Sequence, residues 1–162
     1  MTSPVASVLA RRDVLIGSGA AALLLALGRQ ASADAPQAAP GPTQLYEQTL
    51  DKILGDAKPV PGKVVLEIPE IAENGNTVPY AISIESPMTE ADHVKAVHVL
   101  SVANPLPNVA SFTFTPLAGR AAVSSRMRLA KTQEVVVLAE LSTGKFLLAK
   151  RTVKVTIGGC GG

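Results

Sequence analysis

The sequence predicts an all-β protein, an immunoglobulin-like antiparallel β-sandwich with a short N-terminal helix and a flexible C-terminal arm. Apolar and polar residues alternate in about seven short runs between residues 63 and 157, separated by Pro, Gly and Asn turns. No helix-sized segment falls between those runs, which argues against a parallel α/β fold. Aromatic residues make up only 3% of the chain and Trp is absent, so Ala and Val must build most of the core. There is no internal repeat.

The 162 residues suffice for one domain plus processing sequence. Residues 1–33 read as a twin-arginine signal peptide. Arg11 and Arg12 precede an apolar run over residues 17–28, and Ala31-Ser32-Ala33 then offers a small-x-small cleavage site. The run is too short for a bilayer span, which takes roughly 20 apolar residues. Cleavage after Ala33 would remove Arg11, Arg12, Arg29 and Asp13, leaving 12 residues of each sign. The basic balance therefore belongs to the signal and gives no warrant for nucleic acid or an anionic membrane as partner. The expected location is the periplasm, with no membrane attachment after cleavage.

Residues 34–42 carry three prolines and little apolar bulk, and form an expected flexible leader. The domain proper is expected over residues 43–157. Thr43 can cap a helix over 44–54, with Tyr46, Leu50, Ile53 and Leu54 on one face and Gly55 as the stop. Such a helix would cover one end of a sheet. Strands follow over 63–68 and 77–85, the latter with Val78, Tyr80, Ile82 and Ile84 on one face, and over 94–102. Phe112 and Phe114 alternate with Ser111, Thr113 and Thr115; Ala121, Val123, Met127 and Leu129 alternate with Arg120, Ser124, Arg126 and Arg128. Val135, Val137, Ala139 and Leu141 then pair with residues 145–157 across a Ser142-Thr143-Gly144 turn.

A search for catalytic chemistry finds little. His93 and His98 lie five apart on one predicted strand, hence on opposite faces, and cannot share a metal. Glu70, Glu73, Asn74 and Asn76 crowd one loop, but their spacing matches no calcium site, and Glu-Asn-Gly-Asn reads as a tight turn. No catalytic triad, phosphate loop or metal-spaced cysteine set is present. The expectation is a protein that is not itself an enzyme, with no cofactor and no metal.

The tail is different. After the alternating Val153, Val155 and Ile157, the chain reads Gly158-Gly159-Cys160-Gly161-Gly162. Four glycines have nothing to pack and much entropy to lose, so residues 158–162 are expected to form a flexible arm. Three residues beyond Ile157, the sulfur of Cys160 can reach roughly 10 Å past the sheet. A lone cysteine on an exposed arm runs against the usual burial of that residue. In an exported protein an unpaired thiol tends to be oxidised or cross-linked. The C-terminal carboxylate nearby does not activate it, which suits a cargo attachment point better than a catalyst.

The terminal Val-Lys-Val-Thr-Ile-Gly-Gly-Cys-Gly-Gly resembles the end of the SoxY family, the carrier subunits of the bacterial Sox thiosulfate-oxidising system. Residues 68–79, Ala103-Asn104-Pro105 with the following Phe112 and Phe114, and residues 126–133 extend the resemblance over most of the mature chain. The resemblance implies a periplasmic carrier, with Cys160 holding sulfur intermediates covalently and Gly158, Gly159, Gly161 and Gly162 forming the arm. It also implies a heterodimer with a SoxZ-like β-sandwich subunit. A c-type haem Sox enzyme would load thiosulfate, a Sox hydrolase would release sulfate, and a sulfane dehydrogenase would oxidise the remaining sulfur. Two other readings fit parts of the sequence. One is a structural β-sandwich joined by a disulfide to an envelope partner. The other is a Gly-Gly sulfur carrier activated at its carboxylate, against which the signal peptide and strand count argue.

Overall fold

Helix α1 (Gln44–Leu54) comes first in the part of the chain that this computed structural model describes, residues 41–158. Its ends match the sequence signals. The Thr43 side chain accepts a hydrogen bond from the Tyr46 N–H at 3.2 Å, and the Gly55 N–H closes the last turn on the Asp51 carbonyl at 2.8 Å.

Nine strands follow: β1 (Val60–Pro61), β2 (Val64–Glu67), β3 (Ile71–Asn74), β4 (Val78–Ile84), β5 (Val94–Ser101), β6 (Asn108–Thr113), β7 (Ala121–Met127), β8 (Gln133–Leu141) and β9 (Phe146–Ile157). One sheet runs β1-β9-β8-β5-β6, with β3 also on β9; the other runs β2-β4-β7. Between them lies the main core. Val78, Tyr80, Ile82, Ile84 and Met127 of the smaller sheet meet Val97, Val99, Val135, Val137 and Val153 of the larger. These are the alternating residues that the period of two singles out. The β8–β9 hairpin turns at Gly144, whose φ of 77° lies where glycine is at ease.

The fold class is thus the expected all-β sandwich, with three differences of detail. First, β1 and β3 run parallel to β9, while every other pairing is antiparallel. Both are short and lie beside Pro, Gly or Asn, so neither shows a strand's period. Second, α1 covers a sheet face rather than a sheet end. Tyr46, Leu50, Ile53 and Leu54 pack on Leu100, Val102, Val136, Leu138 and Phe146, on the side of the large sheet away from the main core. Residues 135–139 of β8 are buried without interruption for that reason, since both their faces are covered. Third, β6 begins at Asn108, three residues before the predicted alternation, and Phe114 falls just past its end.

Among the described residues no helix is long and apolar enough to cross a membrane.

Candidate functional site

Of the expected arm, Gly159, Cys160, Gly161 and Gly162 lie outside the described residues, as does the signal peptide; the structure describes where the arm begins. Strand β9 lies between β8 on one side and β1 and β3 on the other. At its end the Gly75 N–H, in the turn after β3, donates to the Ile157 carbonyl at 2.7 Å, and the Gly75 carbonyl accepts from the Leu129 N–H at 2.8 Å. Two residues back, the Val155 N–H donates to Thr132 Oγ1 at 3.0 Å. The strand end is therefore tied on one side to the β3–β4 turn and on the other to the segment between β7 and β8.

That segment is in turn held from behind by a buried polar cluster. Gln133 is fully buried and Asn104 nearly so. Asn104 donates through Nδ2 to the Arg128 carbonyl at 2.8 Å and accepts at Oδ1 from the Ala130 N–H at 3.0 Å. Gln133 Nε2 donates to the same Oδ1 at 2.7 Å and to the Lys131 carbonyl at 3.2 Å, while Gln133 Oε1 accepts from the Ala103 N–H at 2.8 Å. Buried amides placed this way fix the loop without leaving an unpaired group. No buried side-chain nitrogen or oxygen among the described residues lacks a partner.

Gly158 adds a steric element. A Cβ built on it would run into the carbonyl oxygen of Ala130. The first glycine of the tail is needed for room, and its conformation is one that other residues also adopt. Ile157 stands 65% exposed beside it, an apolar side chain left in solvent at the arm's base. Arg128 and Lys131 are exposed on the adjoining segment, with Arg126 exposed near the end of β7 and Glu73 on β3.

The segments over 68–79, 103–105 and 126–133 are far apart in sequence, and the fold gathers them around the end of β9. Gln133 in particular gave no signal on its own. Its clue was a lone amide opening a run of valines, where a polar side chain must find buried partners.

His93 precedes β5 and His98 lies within it. His98 Nδ1 lies 2.9 Å from Ser111 Oγ, and His93 Nδ1 lies 3.0 Å from the Thr89 carbonyl oxygen, so each ring is engaged elsewhere. Both rings are half-buried. Burial lowers the His98 pKa from its ordinary value, and the Glu140 charge partly opposes that. Asn74 Oδ1 accepts from the Asn76 N–H at 2.9 Å, the tight turn that Glu-Asn-Gly-Asn predicts. Among the described residues no three His, Cys, Asp or Glu side chains gather as a metal site. A cleft of about 560 Å³ includes Pro69, Pro79, Tyr80 and Ser125 in its lining, with Glu67 and Arg126 as the charged members. Its lining holds no His, Cys or Lys.

The family model for the sulfur oxidation protein SoxY matches residues 50–160, through the position of Cys160. The chain belongs to the SoxY family. Among solved structures, the SoxY sulfur carrier protein from Chlorobium limicola f thiosulfatophilum is 34% identical, with a TM-score of 0.58 over 68% of this chain and 96% of that one. A superoxide reductase (neelaredoxin) from Ignicoccus hospitalis is 15% identical, with a TM-score of 0.52 over 58% of this chain and 80% of that one. At that identity the likeness is one of fold alone. No curated protein matches this SoxY chain. The family supports a sulfur-oxidation carrier role and, in general terms, partners from the Sox system.

Proposed function

We propose that this SoxY chain is a periplasmic carrier that holds sulfur intermediates covalently on Cys160 during thiosulfate oxidation and presents them to partner enzymes. The supporting observation is a sole cysteine in a glycine tail that follows an interior strand of a sandwich of the SoxY family. The arm is taken to be flexible beyond the collar that the segments around Gly75, Asn104 and Ala130 form at the end of β9, and the protein to be a substrate of its partners, without catalysis of its own. The twin-arginine pattern at Arg11 and Arg12 supports export in the folded state, together with a SoxZ-like β-sandwich subunit.

In the loading step the Cys160 thiol and the sulfane sulfur of thiosulfate form a sulfur–sulfur bond. The thiol proton is released, and two electrons pass to the c-type haem enzyme. In a Sox hydrolase water then attacks the terminal sulfonate sulfur and breaks its bond to the sulfane sulfur, so that sulfate leaves with the water oxygen and a persulfide stays on Cys160 for the sulfane dehydrogenase. The cargo is an anion at the loading step, which suits the exposed cations Arg128 and Lys131 on the segment that borders Gly158.

Intact mass of protein purified from thiosulfate-grown cells tests the reading. A small sulfur adduct removed by mild reduction is expected; release of a second polypeptide would instead support the disulfide-linked structural reading. Cys160→Ser keeps the size of the side chain but not its ability to form a sulfur–sulfur bond. It should abolish thiosulfate oxidation in a reconstituted system while leaving circular dichroism and subunit assembly unchanged. Retained turnover by that variant would overturn the assignment.

A further inference from the structure

The four tail glycines look equivalent in sequence, and Gly158 is the one whose surroundings the structure describes. We propose that Gly158 is the fixed root of the arm rather than part of its moving length, and that Thr132, Asn104 and Gln133 are positioning residues that aim it. The inference rests on the carrier reading above and specifies how that site is set up.

The constraint on residue 158 is local. A side chain at residue 158 meets the Ala130 carbonyl oxygen, which is backbone and cannot rotate away. Nor can Ala130 easily retreat. Its N–H is bonded to Asn104 Oδ1, the preceding Leu129 N–H to the Gly75 carbonyl, and the following Lys131 carbonyl to Gln133 Nε2. On the strand side, Ile157 is held by Gly75 and Val155 by Thr132. Accommodating even a methyl group at residue 158 therefore means moving the outgoing chain. Cys160 lies two residues on, so such a shift would be carried to the sulfur. Transfer from a carrier to a fitted pocket depends on placement, and an error of about 1 Å can cost about a hundredfold in rate. Reaction with a small free reagent has no such dependence.

These two kinds of reaction provide the test, on the full-length mature chain with its partner subunit. The first measurement is the labelling rate of Cys160 by a small maleimide. The second is thiosulfate loading by the haem enzyme. For Gly158→Ala, loading is expected to fall about ten- to a hundredfold, while labelling stays within about twofold of wild type. Thr132→Val removes the hydroxyl that holds Val155 and should lower loading in the same selective way. Thr132→Ser retains the hydroxyl and should restore it, a rescue that loss of the methyl group alone would not give. Unchanged loading by Gly158→Ala would overturn the proposal, as would labelling and loading that fall in parallel. Should Gly158→Ala fail to fold, the Thr132 pair decides, and equal loading by Val and Ser would count against the proposal. Wild-type protein that takes up no sulfur at all would instead refute the carrier reading, before any variant is compared.

Discussion

At the scale of single residues, the features that matter most are polar. Asn104 and Gln133 place two amides in a region where burial without partners would cost about 1–3 kcal/mol per group, and their bonds to the Arg128 and Lys131 carbonyls and the Ala130 N–H tie down the segment beside the arm. His98 shows the opposite balance. Its folded-state pKa lies below the ordinary 6.5, because burial disfavours the imidazolium more than Glu140 favours it. The unfolded chain therefore takes up the proton first as the pH drops. The stabilisation from neutral His98 is fully present above about pH 6.5 and is lost as the pH falls toward the lowered folded value. Replacing His98 with Gln keeps a partner for Ser111 and removes the titration. Urea denaturation between pH 7 and 5 should show a flatter decline for His98→Gln than for wild type, and identical slopes would contradict it.

Elements divide into those with a period and those without. α1, β4, β8 and β9 were readable because their side chains repeat at helix or strand spacing and their ends carry Thr, Gly or turn residues. β1 and β3 were not readable, being two and four residues long. Their pairing depends on β9, more than 80 residues further along the chain. β8 was read in part. Val135 and Val137 announced one buried face, but Val136 and Leu138 are buried too, and only the packing of α1 shows why. That difference is measurable. An alternation with one solvated face would make Leu138→Ala nearly neutral, within about 0.5 kcal/mol. In the observed packing beneath α1 it should cost about 3 kcal/mol, seen as a reduced urea midpoint at unchanged m-value. The candidate site divides the same way. The cysteine tail was legible because a sole thiol among glycines is rare. The collar was not, since it is assembled from three distant loops.

For the whole molecule, the expected separation is between a sandwich that supplies stability and a tail that supplies chemistry. Deleting residues 159–162 removes one side chain larger than hydrogen and none of the collar contacts. It should therefore change unfolding free energy by less than about 0.5 kcal/mol. A larger loss in thermal denaturation would mean that the tail packs on the domain. The N-terminal end carries a separate prediction. Replacing Arg11 and Arg12 with lysine should leave precursor in the cytoplasm, visible by fractionation and immunoblot. Undiminished export would argue against the folded-protein route.

β9 is the last described element to be synthesised, yet it sits inside its sheet, with β8 on one flank and β1 and β3 on the other. The sandwich consequently cannot close progressively as the nascent chain emerges. A polypeptide broken off before residue 146 would leave β1 and β3 without a partner and β8 with a bare edge, a state prone to aggregation rather than to folding. Folding thus acts as a check on completeness. Any machinery that accepts only the closed sandwich, whether for export or for assembly, meets only chains long enough to carry the strand from which Cys160 extends.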